Sequence, residues 1–262
     1  MRLINPDSQT PPLPDDIRAK VSALAQRQHD AAGVLMQLVT YVGGQVEDGL
    51  KFLPTSARNR LDGAAARALR ASYDAAGRSR AGIGGRFGSD RAHKALASVS
   101  GALGGMGGLP TALAELPIAT TMIFRAVQHV AEHHGEDPTS METRAECLQV
   151  FGKGGVGDDD DGIDTSFVGA RLGLSGAAIN KLISKIAPQF ATVIGQKLAA
   201  QAVPILGAAA GAGTNYTFIS HYTEIAHVHF GLRALARDHD VEAVTDAFHE
   251  DLAKLKQPLL RA

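Results

Sequence analysis

Tryptophan is absent from the 262-residue chain, and only 5% of its residues are aromatic. Proteins that hold single-stranded nucleic acid usually stack the bases on aromatic side chains. A chain with so few rings does not favour that class of binding. The net charge of −1 also provides no overall positive field for a polyanion. We therefore expect no nucleic-acid partner.

Cysteine is nearly absent too: Cys147 is the only one, which excludes an intrachain disulfide. It lies on an apolar helical stripe with Val150 and Phe151, which predicts an inert thiol in a hydrophobic core. The N-terminal residues MRLINPDSQTPPLPDD lack the apolar segment of a secretory signal peptide. This predicts a cytoplasmic protein, either free in the cytoplasm or bound at the inner face of the membrane.

Alternating β-branched runs typical of strands are missing, whereas apolar residues recur at helical spacing. The sequence therefore predicts an all-α fold: a single multi-helix bundle with long Gly/Ala-rich central helices, one kinked at Pro117. We expect a disordered tail over residues 1–13 and one helical domain over 14–257. Helices are predicted to start at Pro14 and at Thr55 or Ser56, and to cover about 110–134, 139–151, 166–173, 176–186, 188–201, 204–237 and 240–256.

Charge is missing from two Gly/Ala-rich stretches. Between Lys94 and Arg125 the only charged residue is Glu115, and Leu198 to Thr223 contains no Asp, Glu, Lys or Arg. The second stretch is long enough to span a bilayer. However, its hydropathy comes from Ala and Gly, and polar residues interrupt it. A buried central helix is favoured, and a membrane span is the alternative.

Positive charge is concentrated locally, because residues 56–94 hold nine Arg or Lys against three Asp. One interpretation is a solvated helix face. The other is a surface that contacts anionic lipid headgroups or an acidic partner. The leading functional hypothesis is therefore a non-enzymatic protein that associates with a membrane surface or with an integral membrane transporter component.

Glu115 needs a partner if it is buried among apolar neighbours. Arg125 is one candidate, and Thr121 lies four residues before it on the same helical face. A structural ion pair is one interpretation. The other is a carboxylate that the broken helix exposes as a base, a ligand or a proton carrier.

Histidines are concentrated in the segment 216–233. Glu224 and His227 have the i, i+3 spacing of carboxylate–histidine metal sites in helical bundles. Such sites need a second Glu-x-x-His, and the sequence has none. The acidic run at 158–161 likewise fits a calcium loop poorly. Glu224 and His227 are therefore weak metal candidates, and no cofactor is predicted.

The alternative to a membrane-associated protein is an enzyme or small-ligand carrier with a polar pocket between central helices. The sequence assigns no catalytic residue. The polar residues predicted to line such a pocket are Glu115, Thr121, Arg125, Asn215, His221, His229 and Arg233.

Short motifs in a fixed order run from about residue 30 to about residue 240. They begin with Gly43-Gly44, Glu47, Leu53-Pro54, Gly107-Gly108-Leu109-Pro110, Glu115-Leu116-Pro117, Thr120-Thr121 and Arg125. They continue with Gly135-Glu136-Asp137, Cys147-Leu148-x-Val150-Phe151, Lys197-Leu198-x-x-Gln201-x-Val203-Pro204-x-Leu206-Gly207, Asn215-Tyr216, His221, Ala226 and His229-Phe230-x-x-Arg233. The ordered set resembles the EcsC family.

This resemblance implies a helical bacterial protein of a family linked to transporter and secretion loci and to membranes. It supplies no catalytic residues. One departure concerns Phe167 and Val168, which stand where the family often has two tyrosines before an arginine. A role that needs those hydroxyl groups is therefore not expected here.

Overall fold

The computed structural model describes residues 12–31, 55–78, 108–153, 175–201 and 207–256. Within these ranges the chain forms seven helices and no strand, which confirms the predicted all-α fold. The helices are α1 (Asp15–Asp30), α2 (Thr55–Arg78), α3 (Gly108–His133), α4 (Met141–Lys153), α5 (Gly176–Gln201), α6 (Gly207–Asp238) and α7 (Val241–Lys256).

Among the described residues, two separate hydrophobic cores share helix α6. The larger core joins α2, α3, α4, α5 and α6 around Phe124, Phe151, Phe190 and Tyr222. The smaller core joins α1, α6 and α7. Its buried residues include Val21, Val228, Leu232 and Phe248. Because α6 buries residues toward both cores, it is a central helix of the fold.

Tyr222 lies at the centre of the larger core. Its ring centroid is 5.0 Å from that of Phe151, which in turn lies 6.0 Å from Phe124 and 5.2 Å from Phe190. These rings join α3, α4, α5 and α6. Burial raises the pKa of the Tyr222 hydroxyl. Cys147 is also buried, as predicted, and burial raises the pKa of its thiol well above the ordinary value.

The possible membrane span of the sequence falls mainly on α6. No described helix combines the length and the apolar character that crossing a bilayer requires. Most residues of α6 from Thr217 onward are instead buried against other helices. The small residues at 207–213 are helical as well.

The structure joins two helices that the sequence predicts to be separate. Residues 176–201 form one helix with Pro188 inside it, so the predicted break at 187 is wrong. A proline in a helix interior removes a hydrogen bond and costs roughly 3 kcal/mol. Ile186, Ala187, Phe190 and Ala191 are all buried in the larger core. We infer that this burial holds the helix together across Pro188.

Helix caps explain two of the observed boundaries. The sequence predicts Ser175 as the N-cap of the helix that starts at 176, and the Ser175 hydroxyl accepts a hydrogen bond from the backbone N–H of Ala178 at 3.1 Å. At α4 the sequence predicts a capping box from Thr139 to Glu142. The cap is one residue later, because Ser140 Oγ accepts the N–H of Thr143 at 3.0 Å. The Glu142 side chain is consequently available for α6.

Several predictions concern residues outside the described ranges. They are most of the tail at 1–13, the helix at 166–173 and the acidic run at 158–161. The side chains of Glu115 and Asn215 also lie outside the described part, although their backbones are helical.

Candidate functional site

A carboxylate lies in the core between α4 and α6. Glu146 is fully buried, and its Oε2 lies 2.9 Å from Nε2 of His229. Its other oxygen, Oε1, lies 3.3 Å from Nη1 of Arg233. His229 and Arg233 are four residues apart on α6, so helix geometry brings both to one carboxylate.

The contacts of Arg233 extend from the core toward the surface. Its Nη2 donates to Oε1 of Glu142 at 3.3 Å, and its Nε donates to Oε1 of Glu136 at 3.5 Å. Arg237 Nη1 lies 3.4 Å from the same Glu136 oxygen. Glu136 belongs to the turn between α3 and α4. The network therefore ties this turn and α4 to α6.

Gly135 allows Arg237 to approach the turn closely. Its φ is +82°, in the left-handed region that favours glycine. A Cβ at this position would lie 3.3 Å from Nη2 of Arg237. That Nη2 donates to the carbonyl oxygen of His134 at the end of α3. A cation at a helix C-terminus is electrostatically favourable, so Arg237 caps α3.

Charge in this network is nearly balanced by its members. Glu136, Glu142 and Glu146 face two guanidinium groups and the imidazole ring of His229. Buried ionic groups are tolerated when each one is paired and hydrogen-bonded. The arrangement is consequently suited to fixing α4 against α6.

The structure places the predicted pocket residues in different surroundings. His229 and Arg233 meet at Glu146. The Thr121 hydroxyl lies 2.7 Å from the Pro117 carbonyl and 3.2 Å from Ser72 Oγ. His221 Nδ1 lies 3.0 Å from the Ala31 carbonyl, to which it donates. Arg125 is half-buried. A common pocket that also includes Glu115 and Asn215 stays a prediction.

Sequence reasoning missed Glu146, although it is the centre of the network. A usable signal was present, because Glu146 stands within the buried run Ala145-Glu146-Cys147-Leu148. A carboxylate in an apolar helical stripe needs a partner on a neighbouring helix. The histidine–arginine pair on α6 supplies that partner.

A second polar contact joins α3, α6 and α1. His134 Nε2 lies 3.1 Å from His227 Nδ1, and the ring of His133 lies 6.1 Å from that of His227. The carboxylate of Glu224 forms an ion pair with Arg27 of α1. Thus both weak metal candidates, Glu224 and His227, contact other side chains. In the part of the chain that the structure describes, no three His, Cys, Asp or Glu residues are grouped to hold a metal.

An open cleft adjoins the Arg27–Glu224 ion pair between α1 and α6. Its volume is about 350 Å³. Its lining residues are Ala23, Gln26, Arg27, Asp30, Ala31 and Glu224. None of the residues predicted for a central pocket is among them.

A basic surface lies where α2 packs against α5. We call Arg67, Arg70, Lys181 and Lys185 the basic face, since all four are exposed. A hydrogen bond from Arg70 to Asn180 places the two helices side by side. Arg70 also forms an ion pair with Asp74 at 3.1 Å. By sequence, α5 carries three lysines and no acidic residue, and α2 carries five arginines and two aspartates.

The model of the EcsC protein family matches residues 60–235. This span is well over half of the 262-residue chain. This chain belongs to the EcsC family. The matched region of the chain contains α3, α4, α5 and most of α2 and α6, and hence the basic face and Glu146. Helices α1 and α7 lie outside the match. Searches of curated proteins and of solved structures gave no match.

Proposed function

We propose that this EcsC protein is a non-enzymatic accessory protein that binds peripherally to an anionic membrane surface at the cytoplasmic side. The observation that carries this proposal is the basic face on α2 and α5. Lipid headgroups of an anionic leaflet attract such a surface. A transporter or secretion component embedded in the same membrane would then be its neighbour.

The composition of α2 and α5 favours electrostatic attraction to an anionic membrane over a helix face that is only solvated. Together α2 and α5 hold eight basic and two acidic residues, a net charge of +6. A solvated helix face usually mixes charges of both signs. Each Lys or Arg held near an anionic bilayer contributes about 1 kcal/mol to binding. The four residues of the basic face therefore suffice for reversible association.

The distribution of charge over the whole fold supports one orientation at the membrane. Helix α7 holds four acidic and two basic residues, and α1 holds three of each. These two helices pack against each other and have little positive charge to offer an anionic surface. The field of the protein would thus turn α2 and α5 toward the lipid.

The polar groups in the fold support a scaffold role for the α4–α6 network. Glu146 and His229 pair with each other, and their side chains are at most 1% exposed, so a substrate has no access to them in this fold. The network holds α4 against α6, and both of these helices pack against α5, which carries part of the basic face. Its expected contribution is to stability, and the surface contributes the binding.

Co-sedimentation with vesicles tests the proposal. The purified protein is mixed with vesicles that contain anionic phospholipid, and with neutral vesicles, at low and high salt. We expect binding to the anionic vesicles only, and its loss at high salt because the Debye length falls from about 10 Å at 0.1 M to about 3 Å at 1 M. Equal recovery with neutral vesicles would refute attraction to anionic headgroups, and no recovery with either kind of vesicle would refute lipid binding. Binding only to membranes that contain native proteins would instead favour a protein partner.

A further inference from the structure

We propose that the His134–His227 contact is an acid-sensitive latch that controls the docking of α1 and α7 on the rest of the fold. The inference goes beyond membrane association and does not depend on it. It starts from the two imidazole nitrogens, His134 Nε2 and His227 Nδ1, which lie 3.1 Å apart.

A hydrogen bond between two imidazole rings requires one N–H donor and one nitrogen lone pair. The contact therefore forms while at least one of the two rings is neutral. When both rings are protonated, two N–H groups face each other and two positive charges repel. Histidine is the side chain whose charge ordinarily changes between about pH 5 and pH 8.

The surroundings of the pair resist an added positive charge. Burial is the main cause, followed by the charges of His133, Arg27 and Arg237, and together they lower the pKa of His134 to about 4. Glu224 and Glu136, on the elements packed around the pair, already bind guanidinium groups. The charged or titratable residues on the adjoining turns of these elements are Arg27, His29 and Asp30 of α1, His129, Glu132 and His133 of α3, Glu136 of the turn, and Glu224 and Arg237 of α6.

The pair also adjoins the place where α1 docks on α6. A Cβ added at Gly231 would lie 2.8 Å from Cδ2 of Leu24 and 3.5 Å from Cε1 of His134. Leu24 and His134 therefore approach the same point on α6. Arg27, three residues after Leu24, bonds Glu224. Charge gained by His134 and His227 thus acts directly on the α1–α6 contact.

Helices α1 and α7 can respond together because they are joined independently of the latch. Arg18 of α1 lies 2.6 Å from Asp251 of α7, and Ser22 also donates to Asp251. Burial opposes the ionisation of Asp251, but the Ser22 hydrogen bond and the Arg18 charge outweigh it and lower its pKa below the ordinary value. This link therefore persists at mildly acidic pH.

Opening at the latch would expose one core and leave the other intact. Among the described residues, the buried members of the smaller core belong to α1, α6 and α7, so undocking uncovers Val228 and Leu232 on α6. The larger core, with Phe151 and Tyr222, does not include α7. The boundary also lies close to the end of the family match at residue 235.

Amide hydrogen exchange measured by mass spectrometry, from about pH 7 to about pH 4.5, tests the latch. After correction for the intrinsic effect of pH on exchange, we expect peptides from α1 to lose protection by about tenfold or more, a change of about 1.4 kcal/mol in opening free energy. Peptides from α4 should stay protected over the same range. Equal loss in α1 and α4, or no loss in α1, would overturn the proposal.

Two substitutions connect this opening to the histidines. Gln can hydrogen-bond but has no charged form in this range, so His134→Gln and His227→Gln should each reduce the acid-induced loss in α1. His239→Gln, at the end of α6 and away from the pair, serves as the matched control and should behave as the parent protein. If either latch variant opens with the same pH dependence as the control, the latch is wrong. The parent protein alone still decides the question if a variant fails to fold.

Discussion

Nε2 of His229 on α6 lies 2.9 Å from Oε2 of Glu146 on α4, and neither side chain is more than 1% exposed. Arg233 binds the other oxygen of the same carboxylate. Glu146 thus accepts a hydrogen bond from His229 and forms an ion pair with Arg233, both on one face of α6. This relationship fixes α4 against α6.

Glu146→Ala should strongly destabilise the fold, because it leaves His229 buried without its acceptor and removes the fully buried one of the three carboxylates around Arg233. Removing one partner of a buried ion pair typically costs about 3–5 kcal/mol. Urea unfolding followed by circular dichroism measures the change. Glu242→Ala, on the exposed side of α7, is the control and should change stability by less than about 0.5 kcal/mol. A loss for Glu146→Ala no larger than that of the control would contradict the network.

Gly135→Ala should destabilise the turn between α3 and α4. Gly135 has a φ of +82°, and an added Cβ would lie 3.3 Å from Arg237 Nη2. We expect a loss of roughly 1–2 kcal/mol from backbone strain and the disturbed cap. Gly176→Ala is a matched control, since nothing lies within 4 Å of its Cβ position. Gly176→Ala should leave the free energy of unfolding unchanged or raise it slightly. Equal losses of stability in the two variants would contradict backbone strain at position 135.

Gly231→Ala should disturb the docking of α1, because its Cβ would lie 2.8 Å from Cδ2 of Leu24. Overpacking of this kind costs about 1–3 kcal/mol. Leu24→Ala in the same chain removes the clashing atoms, so the double variant should lose less than the sum of the two single losses. A double-mutant cycle from urea unfolding measures this coupling. Strictly additive losses would show that the two side chains do not compete for space.

Stability should fall as the pH drops from about 6.5 toward 4. The pKa of His134 is about 4 in the fold, against about 6.5 in an unfolded chain. The unfolded state binds the proton more readily, so the contribution of this histidine is complete above pH 6.5 and is lost as the pH falls. Because His134 is only half-buried, solvent screening reduces the effect to about 1–2 kcal/mol. Unfolding of His134→Gln at about pH 7 and pH 4.5 should show a smaller loss than the parent protein, and an identical loss would contradict this assignment.

The sequence predicted correctly those features that depend on residues close together in the chain. The Ser175 cap, the all-α class and the burial of Cys147 follow from residues close together in the chain, and the structure confirms them. The break predicted before Pro188 failed because burial of the neighbouring apolar residues on the larger core outweighs the local cost of proline. Local signals do not report tertiary packing of this kind.

Contacts between distant segments of the chain could not be predicted from the sequence, because local patterns do not show which helices pack together. His134 and His227 are 93 positions apart, and Glu146 and His229 are 83 apart. Spacing along one helix shows which residues share a face, as for His229 and Arg233. It does not show which helix that face meets. Glu146 could have been suspected from its apolar neighbours, but its partners required the packed arrangement of α4 against α6.

The most direct test of the central claim is the affinity for anionic vesicles after charge reversal on the basic face. Lys181→Glu with Lys185→Glu should reduce affinity by more than about tenfold, since each lysine contributes about 1 kcal/mol. The matched double variant Lys20→Glu with Lys254→Glu changes the net charge equally on α1 and α7 and should bind nearly as well as the parent protein. An equal loss in both double variants, or full binding by the α5 variant, would contradict membrane association through α2 and α5.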